Sequence, residues 1–323
     1  MSSVAETQAA ESPDRSWLTA LLAKRELLLG VVIVVTCIVF ALGNPTFLSA
    51  AHLFGIGRSA VVVGIMALGV LLVLLTGGID VSVSAIAVSS MYLTTVTLQA
   101  IDFQGTFLVA IALAVLIGAI LGLINGVLVA WLKLPSMIVT IGTLTLYRGG
   151  LLAFVGTERI RSLPAQMSEF AKTQLFTTQS AGRTVSLHAS VIILVILAIV
   201  LAFLLHRLWW GRYIYAIGDD EEAAKRMGVK VNLIRTSAFI VSGATAGLAG
   251  LFYAAMNRAA DPSTFTGLEM TVLAAVVLGG AAVTGGRGSV LGTMLGVLLI
   301  TVVGSSLVLV GIPAAWQDLF IGA

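Results

Sequence analysis

Residues 211–229 have the sequence GRYIYAIGDDEEAAKRMGV, a charged stretch within an otherwise apolar chain. The pattern predicts one complete short helix. A carboxylate at Asp219 or Asp220 can accept hydrogen bonds from the free N–H groups of the first turn. Acidic residues then precede basic ones, as the helix dipole favours. Gly228 can adopt the left-handed conformation that ends a helix.

The rest of the chain has the composition of a membrane protein. Of its 323 residues, 59% are hydrophobic and only 10% are charged, whereas soluble domains are about a quarter charged. The 34 glycines favour closely packed helices, and the long apolar runs favour an all-α polytopic protein over a barrel. The net charge of +3 does not indicate nucleic-acid binding, because the basic residues lie beside the apolar runs.

The apolar runs predict about ten transmembrane helices, since a helix needs about 20 residues to cross a bilayer. We expect a polar tail at 1–25 and a transmembrane domain at 26–323, whose first span is retained rather than removed as a signal peptide. The last run is too short to cross, so we expect truncation or a brief final helix. The runs are 26–44, 59–79, 81–99, 107–131, 136–155, 188–207, 236–256, 268–284, 289–311 and 314 onward.

The distribution of Lys and Arg predicts the orientation. If the N-terminus is cytoplasmic, most of the 18 basic residues lie on the cytoplasmic side of the membrane. The loop 208–235 then lies in the cytoplasm. Segment 157–187 then lies outside, with a short helix expected near 164–173 at the membrane surface.

A helix of about two turns is marginal alone in water, so a stable helix in the cytoplasmic loop implies a binding partner. The surroundings suit a permease that an ATPase binds at this loop. The alternative is a solvated loop that only connects two spans. The residues assigned to the coupling role are Gly211, Arg212, Gly218, Asp219, Asp220, Glu221, Glu222, Ala223, Ala224, Lys225, Arg226 and Gly228.

Two glycine-rich segments, 76–80 and 279–288, interrupt long apolar runs. Helices broken at corresponding places in two halves often mark a transport site. Asp80 follows the first break, and a carboxylate at membrane depth is usually functional. We expect it to cap the next helix in preference to contacting a solute directly.

Other polar residues inside the apolar runs are candidates for a solute path. Asn125 can bond between helices or touch solute, and interhelical bonding is the favoured alternative. Arg148 either follows a polar stripe along a hydrated path or extends to the outer interface. We expect Glu269, at the start of a run, to cap its helix. The solute-path candidates are Asp80, Asn125, Thr140, Thr143 and Arg148.

Signatures of catalysis and of cofactor binding are not found in the sequence. It contains no Gly-x-x-x-x-Gly-Lys-Ser/Thr loop for ATP. The three histidines are scattered and lack metal-ligand spacing. We therefore expect a transport subunit with no cofactor or metal of its own and no covalent chemistry.

Several motifs together resemble the bacterial ABC importer permeases of the ribose-type family, and most of all its autoinducer-2 and rhamnose branch. The charged loop is similar to that family's coupling loop, although Asp220 replaces the usual Asn. Residues 77–83, GGIDVSV, resemble its Gly-Gly-Ile-Asp-Leu-Ser-Val signature, although Ser84 follows where Gly is usual. Further matching segments are 125–126, 140–143, 147–149, 278–280 and 285–289.

The resemblance implies a multi-span subunit in the bacterial inner (cytoplasmic) membrane, in contact with lipid and with a second, identical or homologous permease. It also implies two cytoplasmic ATPase subunits that bind ATP–Mg. A periplasmic or lipid-anchored binding protein would deliver a monosaccharide or sugar-like solute: rhamnose, a ribose-type sugar or autoinducer-2. The alternatives are a branched-chain amino acid permease, a gradient-driven secondary transporter and a passive channel.

Overall fold

The computed structural model describes residues 25–180 and 183–312, together with residues 316 and 319. Within those residues it has twelve α-helices and one two-stranded sheet, which confirms the all-α membrane prediction. Eight helices are long and apolar enough to cross a bilayer. They are α1 (Arg25–Gly43), α2 (Ala50–Leu75), α3 (Val83–Ala100), α4 (Phe107–Ala130), α5 (Ser136–Gly150, continued by a π-helical turn at Leu151–Val155), α7 (Ser190–Arg207), α10 (Val231–Asn257) and α12 (Val290–Leu309).

The other helices are short and lie between the spans. They are α6 (Ala165–Phe170), α8 (Trp209–Asp219), α9 (Glu221–Arg226) and α11 (Leu268–Leu278), with a 3-10 turn at Pro45–Leu48.

The eight long helices account for all but two of the predicted spans. The run 268–284 forms only α11, because the Gly279–Gly280 pair ends the helix and Gly280 has a φ of +90°. Eleven residues of helix extend about 17 Å, well short of a hydrocarbon core of about 30 Å. The predicted last span, from 314 onward, and the predicted tail up to residue 24 lie outside the described residues, apart from residues 316 and 319.

Segment 157–187, called the external segment because it is expected to lie outside, contains one predicted and one unpredicted element. Helix α6 lies within the range 164–173, as expected. An antiparallel hairpin follows, formed by β1 (Gln174–Ser180) and β2 (Arg183–His188). Its Phe, Thr and Val residues have high β propensity, a signal that the prediction missed. A backbone bridge between Ile160 and Ala260 attaches this segment to the chain just after α10.

Helix α10 lies at the centre of the bundle and packs against α2, α3 and α4. Gly118 and Gly122 of α4 face Gly243 of α10 so closely that a Cβ on either would overlap α10 backbone oxygens. This close approach confirms the prediction that the glycines allow helices to pack closely. On the other side of the bundle, Gly292 and Gly296 of α12 pack in the same way against α11.

Both predicted helix breaks are present. Helix α2 ends at Leu75, and Gly77 turns the chain with a φ of +78° before α3 begins at Val83. The second break separates α11 from α12 and contains Gly285 and Gly286, both at positive φ. These breaks place irregular backbone inside the bundle, where other protein groups can satisfy its hydrogen bonds.

Candidate functional site

Helix α9 has the ends that the sequence predicts. Asp220, rather than Asp219, is the N-cap, and its carboxylate accepts a hydrogen bond from the Ala223 N–H at 2.9 Å. Asp219 is instead the last residue of α8. At the other end Gly228 takes a φ of +82°, and its N–H donates to the Lys225 carbonyl at 2.9 Å.

Ion pairs along α9 stabilise the helix, and the buried side chain of Ala224 packs it against its neighbours. The Lys225 ammonium lies 2.8 Å from Glu221 and 2.9 Å from Glu222. The hydrogen bond from Lys225 is the main cause that lowers the pKa of Glu221. Ala224 is buried in a cluster with Ile217 and Val231.

The opposite side of α9 is open to solvent. Glu222, Lys225, Arg226 and Met227 are all exposed, and Met227 is 71% exposed. The helix therefore presents acidic, basic and apolar side chains together on a free surface.

Arg235, near the start of α10, links α9 to the first helix break. Its Nη2 lies 2.6 Å from Glu221 Oε2 and donates to the Thr76 carbonyl at 3.4 Å. The Arg235 side chain is only 17% exposed. No local pattern in the sequence predicts this role for Arg235, because its contact with Thr76 joins residues 159 positions apart.

The end of α8 meets both helix breaks. A Cβ on Gly218 would overlap the Leu75 carbonyl oxygen and the Gly286 nitrogen. Those two groups are themselves hydrogen-bonded, with the Gly286 N–H donating to Leu75 O at 3.0 Å. The segments 76–80 and 279–288 therefore touch each other and the segment that leads into α9.

Gly211 and Arg212 shape the start of α8. A Cβ on Gly211 would overlap the Leu205 backbone, so the glycine permits the tight turn from α7. The Arg212 guanidinium lies 5.0 Å from the centre of the Trp209 ring, a cation–π distance.

Asp80 is fully buried and lies just before α3, whose N-cap residue, Ser82, makes no side-chain cap bond of its own. One carboxylate oxygen accepts from the Ser82 N–H at 3.0 Å and the Ser82 hydroxyl at 2.7 Å, just before the helix begins. The other accepts from the Ser242 hydroxyl of α10 at 2.9 Å. Asp80 therefore accepts one N–H at the entrance to α3, as a capping role requires, and in addition joins this entrance to α10.

Asn125 and two neighbours extend this buried network to α4 and α5. The Asn125 amide donates to the Ser82 hydroxyl at 2.7 Å, as the interhelical alternative predicted. The Tyr147 hydroxyl donates to the Leu121 carbonyl at 3.0 Å. The Thr140 hydroxyl donates to the Ile79 carbonyl at 3.2 Å, at the first helix break.

Of the remaining predicted residues, two bond backbone carbonyls and one bonds a side chain. The Thr143 hydroxyl donates to the Thr140 carbonyl at 3.3 Å. Arg148 donates from Nη2 to the Thr264 carbonyl at 3.0 Å. Glu269 accepts from the Ser84 hydroxyl at 2.6 Å instead of capping α11, because the turn of the chain brings α3 beside it.

A cavity of about 1180 Å³ lies elsewhere, where α2 begins and α10 ends. None of the five solute-path candidates is among its lining residues. Of these five residues, only Arg148 has a hydrogen bond given to a residue of the cavity wall, the Thr264 carbonyl. No local pattern predicts this cavity, because residues far apart in the chain form it.

The chain matches a protein family over residues 52–323. That family is described as the permease component of a branched-chain amino acid transport system. The chain belongs to this family. It is a multi-pass membrane permease and a transport subunit, not an enzyme.

The chain is similar to permeases of Escherichia coli and Salmonella typhi. It is 38% identical over 276 residues to the autoinducer 2 import system permease protein LsrC of Escherichia coli O9:H4 (strain HS), covering 85% of this chain and 77% of that protein. It is 37% identical over 294 residues to the protein of the same name from Salmonella typhi, covering 90% and 81%. No solved structure matches the chain significantly.

Proposed function

We propose that this permease is the membrane subunit of an ATP-driven, binding-protein-dependent importer for a sugar-like solute, such as rhamnose, a ribose-type sugar or autoinducer 2. The relatives at 37–38% identity are named for autoinducer 2 import, which supports this class of solute. The family description names branched-chain amino acids. An amino acid needs partners for both its ammonium and its carboxylate, and the described spans hold few charges.

The proposed assembly contains two such permeases, identical or homologous, with two cytoplasmic ATPase subunits that bind ATP–Mg. A periplasmic or lipid-anchored protein delivers the solute from outside. The exposed apolar side chains along α1, α4, α5 and α7 suit contact with lipid or with the second permease. Nucleic acid has no role in this assembly.

The observation that carries the coupling proposal is the position of α9. This helix presents an exposed charged surface, yet Arg235 connects it to Thr76 at the first helix break. Gly218 places the segment before it against the second break at Gly286. A loop that merely joined two spans would not need contacts with both breaks.

Through these contacts with the two breaks, a movement of α9 reaches the membrane interior. A displaced α9 pulls on the Glu221–Arg235 ion pair and pushes the α8 end against Leu75 and Gly286. Both breaks lie next to the spans that form the bundle centre, so their shift changes how α2, α3 and α12 pack. Tightly packed elements transmit such shifts as discrete rearrangements.

Reversal of one exposed charge on α9 tests the proposal. We expect Arg226→Glu to weaken ATPase association by about tenfold, which is about 1.4 kcal/mol, and to lower ATP-dependent uptake in proteoliposomes. Arg226 is exposed, so the folded permease should keep its thermal stability.

Lys172→Glu is the matched control, because it makes the same charge change at an exposed position in the external segment. We expect it to leave ATPase association unchanged. Normal association and uptake by Arg226→Glu, measured beside this control, would exclude α9 as the ATPase contact.

A further inference from the structure

The cavity lies at the end of the bundle that carries the external segment. Its walls come from the first half of α2, the end of α10, the segment 264–267 with α11, and the second half of α12. The bridge between Ile160 and Ala260 attaches the external segment beside the same end of α10. With a volume of about 1180 Å³, the cavity exceeds the usual range for small-molecule pockets of about 300–1000 Å³. It can therefore hold a small solute together with water.

The charge on the side chains that line the cavity is positive. Arg58 contributes a guanidinium, and the lining drawn from the described residues includes no aspartate or glutamate. The other polar side chains are hydroxyls, one amide and one imidazole, among them Ser59, Asn257, Thr271 and Ser305. A solute that enters this cavity meets hydrogen-bonding groups and a positive charge.

Arg58 is held at the wall by the end of α10. Its Nη2 donates to the Met256 carbonyl and to the Asn257 side-chain oxygen, the latter at 3.3 Å. The other guanidinium N–H groups can then face a solute. Tyr253 and Phe265, whose ring centres are 4.7 Å apart, add an apolar wall for the C–H face of a ring.

We propose that this cavity is the outer solute compartment of the permease, and that Arg58 makes it accept neutral or anionic polyhydroxylated molecules and reject solutes with an ammonium group. This inference rests on the proposed function and assigns a site to it. The hydroxyls and the Asn257 amide exchange hydrogen bonds with solute hydroxyls. An ammonium group would lose water on entry, find no carboxylate among the lining residues and be repelled by Arg58.

Thiol labelling measures the charge of the cavity without requiring transport. Ser305→Cys and Thr271→Cys, each in a Cys37→Ala background, would be treated with an anionic and a cationic methanethiosulfonate of similar size. Thr178→Cys, exposed on the hairpin, corrects for the different intrinsic rates of the two reagents. We expect the corrected rate to favour the anionic reagent by about threefold or more, the effect of one nearby charge in a hydrated site. Arg58→Gln should abolish that preference.

Protection experiments with the same variants test the class of solute. We expect D-ribose or L-rhamnose to slow labelling at Ser305→Cys, and L-leucine not to slow it. Equal corrected rates for the two reagents, or protection by leucine and not by the sugars, would overturn the assignment. Either result would leave the coupling proposal standing, because that proposal is judged by Arg226→Glu and ATPase association.

Discussion

The Asp80 carboxylate accepts three hydrogen bonds inside the bundle, two from Ser82 and one from Ser242. Burial of a carboxylate is costly unless it is hydrogen-bonded, and these donors come from the entrance to α3 and from α10. Asn125 continues the network through the Ser82 hydroxyl. Asp80 therefore joins the first helix break to α10 and, indirectly, to α4.

This arrangement predicts different outcomes for two substitutions of Asp80. Asparagine retains one oxygen for the Ser82 N–H, and its amide can donate to the Ser242 hydroxyl, so Asp80→Asn should remain folded with substantial uptake. Leucine leaves the buried donors without an acceptor, at about 1–3 kcal/mol each. We expect Asp80→Leu to lower membrane abundance and thermal stability. Loss of uptake by Asp80→Asn at normal abundance would instead show that the negative charge itself is required.

Gly218 allows a second prediction at the scale of one residue. Because a Cβ there would overlap backbone atoms at Leu75 and Gly286, relief requires a backbone shift, and Gly218→Ala should destabilise the permease by about 1–3 kcal/mol. Gly149→Ala is the control, since nothing lies within 4 Å of its added methyl group. Melting temperatures of both purified variants measure the difference. Equal melting temperatures would mean that the three segments are not in close contact.

At the scale of elements, α9 and the start of α10 act as a unit through Arg235. The guanidinium bonds at once to a carboxylate and to a backbone carbonyl, a geometry that lysine reproduces poorly. The pair is half-buried, so its contribution to stability is modest. We infer that its importance lies in transmission between α9 and the first break.

Substitution of Arg235 should therefore affect coupling more than folding. We expect Arg235→Met to lower the ratio of solute transported to ATP hydrolysed while ATPase association is kept, and Arg235→Lys to give an intermediate ratio. Arg161→Met, at an exposed external position, serves as the control. The transmission role fails if Arg235→Met loses transport and hydrolysis in equal proportion.

The elements that the sequence predicted correctly are those with local signals. Asp220 and Gly228 mark the ends of α9, and the glycines at 77–78 and 279–280 mark the helix breaks. The hairpin at 174–188 was not predicted, because its signal is the β propensity of residues such as Phe176, Thr177 and Val185, which the search for apolar runs does not detect. Where a helix begins and ends depends mainly on neighbouring residues in the chain, so short sequence patterns predict it.

At the scale of the whole molecule, the important contacts join residues far apart in the chain, and no local pattern encodes them. The two breaks meet through Leu75 and Gly286, and Arg58 meets Met256 across 198 residues. The polar residues that stood out inside apolar runs serve helix packing, because a polar group in a span must find a partner within the bundle. Many polar residues of the cavity, such as His52, Asn257 and Thr266, lie at helix ends or between helices. Polar side chains are common at such positions, so they do not indicate a site in the sequence.

The orientation of the molecule is the last prediction, and it decides whether α9 and the cavity face the compartments that import requires. The distribution of Lys and Arg predicts that α9 lies in the cytoplasm and the hairpin outside. In a Cys37→Ala background, a cysteine at Thr178 should react with an impermeant thiol reagent added to intact cells, and one at Glu222 should react only after the membrane is opened. Both positions are exposed, so access to the compartment governs the reaction. The reverse pattern would put α9 outside, away from ATP, and would remove the basis for both the coupling proposal and the outer solute compartment.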